Sequence, residues 1–257
     1  MHAALSMDAR LAALREEVRA LERSGFAATA AAPCLAFGIA EVDVRLAGGG
    51  LGWGLHEAAP AAPSPNDEAA ATLFLAALAA RFAMAQGARG QVLWALARRD
   101  LFAPGLAQAG LTPDRLLYAQ CRNDEEVLAV VEEGVRHGSL AAIVGEVGRA
   151  AMPATRRLQL AAEEGGTAAL LLRRWKRAGA DPLEIPSAAL TRWRIASAPS
   201  APVPYEGIGR ARWRVALARQ RGGPPHEWIM EVPDAEARLA LPARSGDRPD
   251  QAGRAVA

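Results

Sequence analysis

Few residues of this 257-residue chain have the types and spacing that chemistry requires. The two cysteines, Cys34 and Cys121, are too few and too far apart for a disulfide framework or a zinc site. The four histidines show no metal-ligand spacing, and no Ser-His-Asp set or pair of carboxylates stands out. The residue types therefore predict no catalytic residue, no metal and no cofactor.

The informative polar feature is an Arg-Trp-Arg tripeptide that occurs at 192–194 and again at 212–214. Both copies lie in strand-like segments, so alternation places the arginines on one face and the tryptophans on the other, toward the core. Two interpretations stay open for the arginine face: solvated arginines balanced by nearby acids, or a surface for DNA phosphate or an acidic protein. The candidate DNA- or partner-binding residues are Arg192, Arg194, Arg212, Arg214, Arg156 and Arg157.

The N-terminal segment Asp8–Arg23 predicts an amphipathic helix, followed by an Ala-rich linker that ends near residue 33. This helix either offers a seam to a partner or packs back on the body of the protein. Its apolar residues are Leu11, Leu14, Val18 and Leu21.

The hydrophobic pattern predicts an α/β fold over residues 34–232. Five apolar strand segments alternate with helices between Trp53 and Arg173, which favours a mostly parallel sheet covered by helices on both faces. Three further strand segments follow without helices between them, which indicates an antiparallel extension of the sheet. Residues 233–257 are rich in Asp, Arg, Gly and Pro and predict a disordered tail.

Several segments carry a resemblance to a known family. Residues 42–51 resemble the lead-in to the phosphate loop of RecA-type recombinases. The segments 101–111, 156–163, 190–194 and 212–223 are similar to the inducible mutagenesis protein A family of RecA-related proteins. The match spans most of residues 42–232 and implies a RecA-like core.

The positions that serve ATP chemistry in RecA carry other residues here. The loop after the first strand contains three prolines, no Gly and no Lys, and Lys176 is the only lysine of the chain. Arg99 stands where RecA has its activating glutamate, and Gly145 where the Walker B aspartate would stand, beside Glu146. The degenerate positions are Ala59, Pro60, Pro63, Asp67, Gly145 and Glu146. The sequence therefore predicts a protein without ATPase activity.

The family resemblance implies a non-catalytic accessory role in SOS-induced translesion synthesis. The implied partners are an inactive Y-family-like polymerase and RecA, with an error-prone replicative-type polymerase contacted indirectly and DNA as a further candidate. Two alternatives stay open: a SulA-like cell-division inhibitor that binds a tubulin-like filament protein, and an active recombinase or ATPase. No apolar run approaches the roughly 20 residues of a membrane span, so we expect no membrane partner. The expected location is the cytoplasm, with association to the nucleoid after DNA damage.

Overall fold

The computed structural model describes residues 34–87, 90–175, 180–200, 203 and 207–242. The predicted N-terminal helix with Leu11, Leu14, Val18 and Leu21 lies outside these residues, as does the tail beyond residue 242.

The element order is strongly α/β. The strands are β1 (Cys34–Leu35), β2 (Leu51–Gly52), β3 (Leu55–Pro60), β4 (Val92–Leu96), β5 (Leu116–Gln120), β6 (Ala142–Val147), β7 (Ala168–Arg173), β8 (Thr191–Ala198), β9 (Arg212–Gln220) and β10 (His226–Glu231). The α-helices are α1 (Ala40–Asp43), α2 (Pro65–Ala85), α3 (Ala103–Gln108), α4 (Asp124–His137) and α5 (Met152–Gly165).

Eight strands form one sheet in the order β10-β9-β8-β3-β7-β6-β4-β5. The six strands from β8 to β5 run parallel to one another, whereas β9 is antiparallel to both β8 and β10. The predicted fold class is confirmed: a mostly parallel sheet flanked by helices, with an antiparallel extension at the C-terminal end.

Helix α2 covers one face of the sheet and contributes more residues to the larger core than any other element. Ser64 caps it by accepting a hydrogen bond from the Asp67 N–H, and Pro65 occupies the first turn, where a missing N–H costs nothing. Its length and composition would let it cross a membrane, but 61% of its most apolar window is buried. Phe74 of α2 packs with Trp193 of β8, so we assign α2 as a core helix.

Helices α4 and α5 cover the opposite face. Asn123 caps α4 through its side chain, which accepts from the Glu126 N–H, as the sequence predicts. Gly138 ends α4 in the left-handed region at φ 70°, where glycine is favoured. The buried valines of α4, Val127 and Val131, pack in a second hydrophobic core between these two helices and the sheet.

The first part of the expected tail is folded. Ala237 is fully buried, Leu239 is 5% exposed, and Glu231 donates its N–H to the Ala240 carbonyl at 2.7 Å. Gly110, at φ +91°, has no side chain to clash with Ala237, since a Cβ there would lie 2.6 Å from the Ala237 Cβ. The abundance of Asp, Arg, Gly and Pro after residue 232 predicted disorder, but the turn after β10 returns Ala237 and Leu239 to the core. The folded domain therefore extends beyond residue 232.

Candidate functional site

The carboxyl ends of the parallel strands meet at the edge where a RecA relative would hold nucleotide phosphates. Ala59 and Pro60 end β3, and the turn to α2 follows immediately. Two amides of the first turn of α2 are already used: Asp67 N–H donates to the Ser64 hydroxyl and Glu68 N–H to the Ser64 carbonyl. The Asp67 carboxylate faces the other way and accepts from the Ser197 N–H at 2.8 Å.

An ion cluster centred on Arg174 fills this edge. Arg174 follows β7 directly, and its guanidinium lies 2.8 Å from a carboxylate oxygen of Glu146 on β6 and 2.8 Å from one of Glu68 on α2. Asp100, after β4, lies 3.8 Å away. Trp94 donates its indole N–H to the other Glu146 oxygen at 2.8 Å. The cluster therefore joins three sheet strands and α2 at the carboxyl ends of the strands, the edge at which open α/β sheets bind ligands.

The pKa values of Glu146 and Arg174 are shifted by burial and by the neighbouring charges of the cluster. Burial raises the pKa of Glu146, although the positive charge of Arg174 and the Trp94 hydrogen bond oppose that change. Burial alone would lower the pKa of Arg174, but the attraction of Glu146, Asp100 and Glu68 outweighs it and raises this pKa. An anionic phosphate brought here would face three carboxylates that are already paired, Glu146 and Glu68 with Arg174 and Asp100 with Arg98 at 3.0 Å.

Packing explains the glycine at the Walker B position. Gly145 faces α4, and a Cβ there would lie 2.6 Å from Val131 Cγ2 and 3.1 Å from Leu171 Cδ2. An aspartate at this position would require α4 to move. Glu146 points to the opposite face and is held by Arg174, so it does not stand free for a cation. In the described part of the chain, no group of three His, Cys, Asp or Glu side chains is placed to hold a metal ion.

Two other edge residues also have internal partners. Arg99, at the position of the activating glutamate in RecA, donates its Nε–H to the Gln120 side-chain oxygen at 3.0 Å. Trp175 donates its indole N–H to the Pro60 carbonyl at 2.9 Å and so covers the end of β3. Pro63 lies in the turn that precedes the Ser64 cap.

A second, fully buried ion cluster corrects the prediction for Arg192. Glu57 of β3 is 0% exposed and accepts from Arg173 and from Arg192, both at 2.7 Å. Arg192 is 6% exposed and also donates to the carbonyls of Leu183 and Ile185. It therefore lies inside the protein and is not available to DNA or a partner. The alternation of side chains along the strand correctly placed Arg192 on the face opposite Trp193. That face was expected to be exposed, but the segment 181–190 covers it.

Glu57 was missed from the sequence, although a signal exists. A charged residue in the middle of a buried parallel strand must find a partner of opposite charge. Here two guanidinium groups share one carboxylate, and Nε and Nη2 of Arg173 have no hydrogen-bond partner. The cluster thus carries a net positive charge inside the protein. Without the Glu57 carboxylate, the positive charges of Arg173 and Arg192 would both be buried without this counter-charge.

The other strand arginines face carboxylates or small residues. Arg194 pairs with Asp181, Arg212 with Glu231 at 3.5 Å, and Arg214 with Glu227 at 3.8 Å. Across β8 and β9 each of the three lies opposite an alanine, which separates the like charges. Trp193 and Trp213 are buried on the other face, as predicted. The observed balance of charge favours the interpretation of arginines neutralised by nearby acids.

The two candidate arginines of α5 differ in their surroundings. Arg157 lies 3.1 Å from Glu132 of α4. Arg156 is exposed between Met152 and Leu160, which are 43% and 51% exposed. Since residues four apart share one helix face, α5 presents an exposed surface of Met152, Arg156 and Leu160.

Comparison with known proteins places the chain among relatives. No protein-family model matches it. Two curated relatives, both named Protein ImuA and from two strains of Caulobacter vibrioides, are each 40% identical over 211 residues, which cover 79% of this chain and 85% of the relative. The crystal structure of SulA from Pseudomonas aeruginosa is 24% identical and covers 47% of this chain and 97% of its own, with a TM-score of 0.39 that is too low to carry an argument. On the identity and coverage of the Caulobacter relatives, the chain belongs to the inducible mutagenesis protein A (ImuA) family.

Proposed function

We propose that this protein is a non-catalytic accessory factor of SOS-induced translesion DNA synthesis, which docks an inactive Y-family-like polymerase and RecA. Family membership supports the role in mutagenesis. The polymerase and RecA enter as partners through the family resemblance of the sequence. In this role the protein works in the cytoplasm, at the nucleoid after DNA damage, and supplies contacts and no chemistry.

The observation that carries the non-catalytic part is the Arg174 cluster. Arg174 bridges Glu146 and Glu68 at 2.8 Å each, at the edge where a nucleotide would bind in an active relative. An arginine of the chain itself thus provides positive charge between strands and helix at this edge. Ion pairs within the chain hold the fold together at this edge, which suits a protein that serves as a platform.

The exposed face of α5 is the docking surface that the described residues support best. Met152 and Leu160 offer apolar contacts, and Arg156 between them offers a charge to an acidic partner. Arg214 is the most exposed arginine of the two tripeptides, with 59% of its side chain accessible. Arg194 and Arg212 are less available, because Asp181 and Glu231 neutralise them.

Pull-down and mutagenesis measurements test this proposal together. The full-length protein, bound to resin, should retain the inactive polymerase and RecA. The Arg156→Glu/Leu160→Asp variant should lose one of these partners and lower damage-induced mutation in a complemented deletion strain. Arg238→Glu, a reversal at an exposed surface pair, is the matched control and should change neither readout.

Two results would count against the proposal. Retention of neither protein, together with normal induced mutation in the deletion strain, would remove both the partners and the role. Filamentous growth on overproduction without any effect on mutation would instead favour the cell-division inhibitor.

A further inference from the structure

The two edge strands of the sheet, β10 and β5, differ in how far their outer sides are covered. The β10 edge is partly covered, because Glu231 pairs with Ala240 in an isolated bridge. The β5 edge, in contrast, has no strand or bridge on its outer side within the described residues. Exposed strand edges usually carry charges, prolines or bulges that prevent pairing with another chain. Strand β5 reads Leu-Leu-Tyr-Ala-Gln and has none of these.

The side chains of β5 are apolar on both faces. Leu117 is 44% exposed and lies beside Leu93 of β4 on the face of α4. A shallow groove of about 290 Å³ continues this apolar surface, and it is lined by Leu93, Val130, Glu133, Gly134, His137 and Leu140. Tyr118 is 52% exposed on the opposite face. An uncovered edge with exposed apolar residues on both faces is typical of an interaction surface.

The backbone directions of β5 determine which residues can pair. Cys121 donates its N–H inward, to the Leu96 carbonyl of β4 at 2.8 Å. Because a strand turns its N–H and C=O groups alternately to either side, Leu117 and Ala119 also bond inward. Tyr118 and Gln120 therefore direct both their N–H and their C=O groups outward. Leu116 directs its C=O outward, whereas its N–H donates to the Pro113 carbonyl. A further strand could form hydrogen bonds with these outward groups.

We propose that β5 pairs with β5 of a second copy of this chain across a two-fold axis, in an antiparallel register centred on Tyr118. In this register Tyr118 lies opposite Tyr118 of the second copy, and Leu116 lies opposite Gln120. All three outward residues then take part, Leu116 through its carbonyl alone, which gives about four backbone hydrogen bonds. A shift of the register by two residues leaves one outward residue of each copy unpaired.

Charge complementarity at both ends supports a second copy as the occupant. The same register brings Asp114 level with Arg122 of the second copy, and Arg122 level with its Asp114. Both are exposed, and 88% of the Arg122 side chain is accessible. The Arg122 Nε–H donates to Glu126 of the same chain at 2.8 Å, so its terminal Nη groups are the ones that would meet Asp114 of the second copy. No charged residue lies within β5 itself, so two copies bring no like charges together along the strand. The edge is therefore complementary to itself.

Cross-linking tests the geometry directly. Opposite residues of a hydrogen-bonded antiparallel pair have Cα atoms about 5.5 Å apart, within the range of a disulfide. Full-length Tyr118→Cys should form a covalent dimer under mild oxidation. The matched control is Leu117→Cys, because Leu117 lies opposite Ala119, and the two copies of residue 117 are diagonal neighbours too far apart for a disulfide.

Charge reversal tests the register without a cross-link. Sedimentation over a range of concentrations up to about 100 µM should show a reversible dimer. Two paired edge strands form a small interface, and small interfaces usually give weak binding. Asp114→Arg and Arg122→Glu should each weaken it roughly three- to tenfold, and the double exchange should restore it. Arg238→Glu should leave dimerisation unchanged.

Other outcomes would overturn the proposal. They include a monomer at every concentration, or a Tyr118→Cys cross-link no stronger than that of Leu117→Cys. They also include a monomer whose binding to another protein is lost with Tyr118→Asp, which would assign the edge to a different chain. Circular dichroism of each variant separates these outcomes from misfolding.

Discussion

Replacement of Arg174 by Met should destabilise the protein far more than the loss of a surface ion pair. The substitution removes the guanidinium that lies 2.8 Å from both Glu146 and Glu68. The side chains of Arg174 and Glu146 are 11% and 4% exposed, so the pair counts as buried. Removing one partner of a buried pair costs about 3–5 kcal/mol, because the other charge is left without compensation. For a domain of this size the melting temperature should fall by roughly 6–20 °C.

Urea denaturation followed by circular dichroism measures this loss. Arg136→Met is the matched control, because Arg136 pairs with Glu132 at the surface and Arg157 stays beside that carboxylate. The control should cost less than about 1 kcal/mol. If Arg174→Met costs no more than Arg136→Met, the cluster does not hold the edge together and the reasoning is wrong.

The same variant has a pH signature with a definite sign. Burial already raises the pKa of Glu146, and loss of the Arg174 charge should raise it further. A carboxyl group whose folded pKa exceeds its unfolded pKa contributes stability below the unfolded value and loses it as the pH rises through the folded value. The deficit of Arg174→Met relative to the native protein should therefore shrink as the pH falls from neutral toward the ordinary pKa of a glutamate, about 4.3.

Three further predictions concern the interior. Glu57→Gln should cost about 3–5 kcal/mol in urea denaturation, because it leaves Arg173 and Arg192 buried without a carboxylate; a loss under about 1 kcal/mol would contradict this. Burial lowers the pKa of His56 from 6.5 to about 4, so the contribution of His56 to the free energy of unfolding should fall by about 3 kcal/mol as the pH drops from 7 to 4. An NMR titration that placed His56 near its ordinary value would refute that. Ser64→Ala should cost about 1 kcal/mol through loss of the α2 cap, and an unchanged urea midpoint would mean that the cap contributes nothing.

The strands and helices of the core were largely predictable, because their hydrophobic periods are regular and their caps are explicit. Asn123 and Ser64 illustrate this: each is a capping residue placed directly before an acidic first turn. Sequence alternation also gave the correct faces for Trp193 and Trp213.

What covers each face could not be predicted. The burial of Arg192 depends on the segment 181–190, whose carbonyls accept from its guanidinium although nothing in its sequence marks it as a cover. The role of Arg174 could not be predicted either, since a residue just past a strand end gives no periodic signal. Its role follows from the convergence of β6, β7 and α2, which is a property of the sheet order.

The central claim is that the Arg174 cluster fills the position at which an active relative would bind a nucleotide. Isothermal titration calorimetry of the full-length protein with ATP and Mg²⁺ tests this claim most directly. We predict no saturable heat up to about 5 mM nucleotide, which corresponds to binding weaker than about −3 kcal/mol. Saturable binding of one nucleotide per chain would contradict the account, because it would require the Arg174 cluster to open and admit phosphates among its three carboxylates.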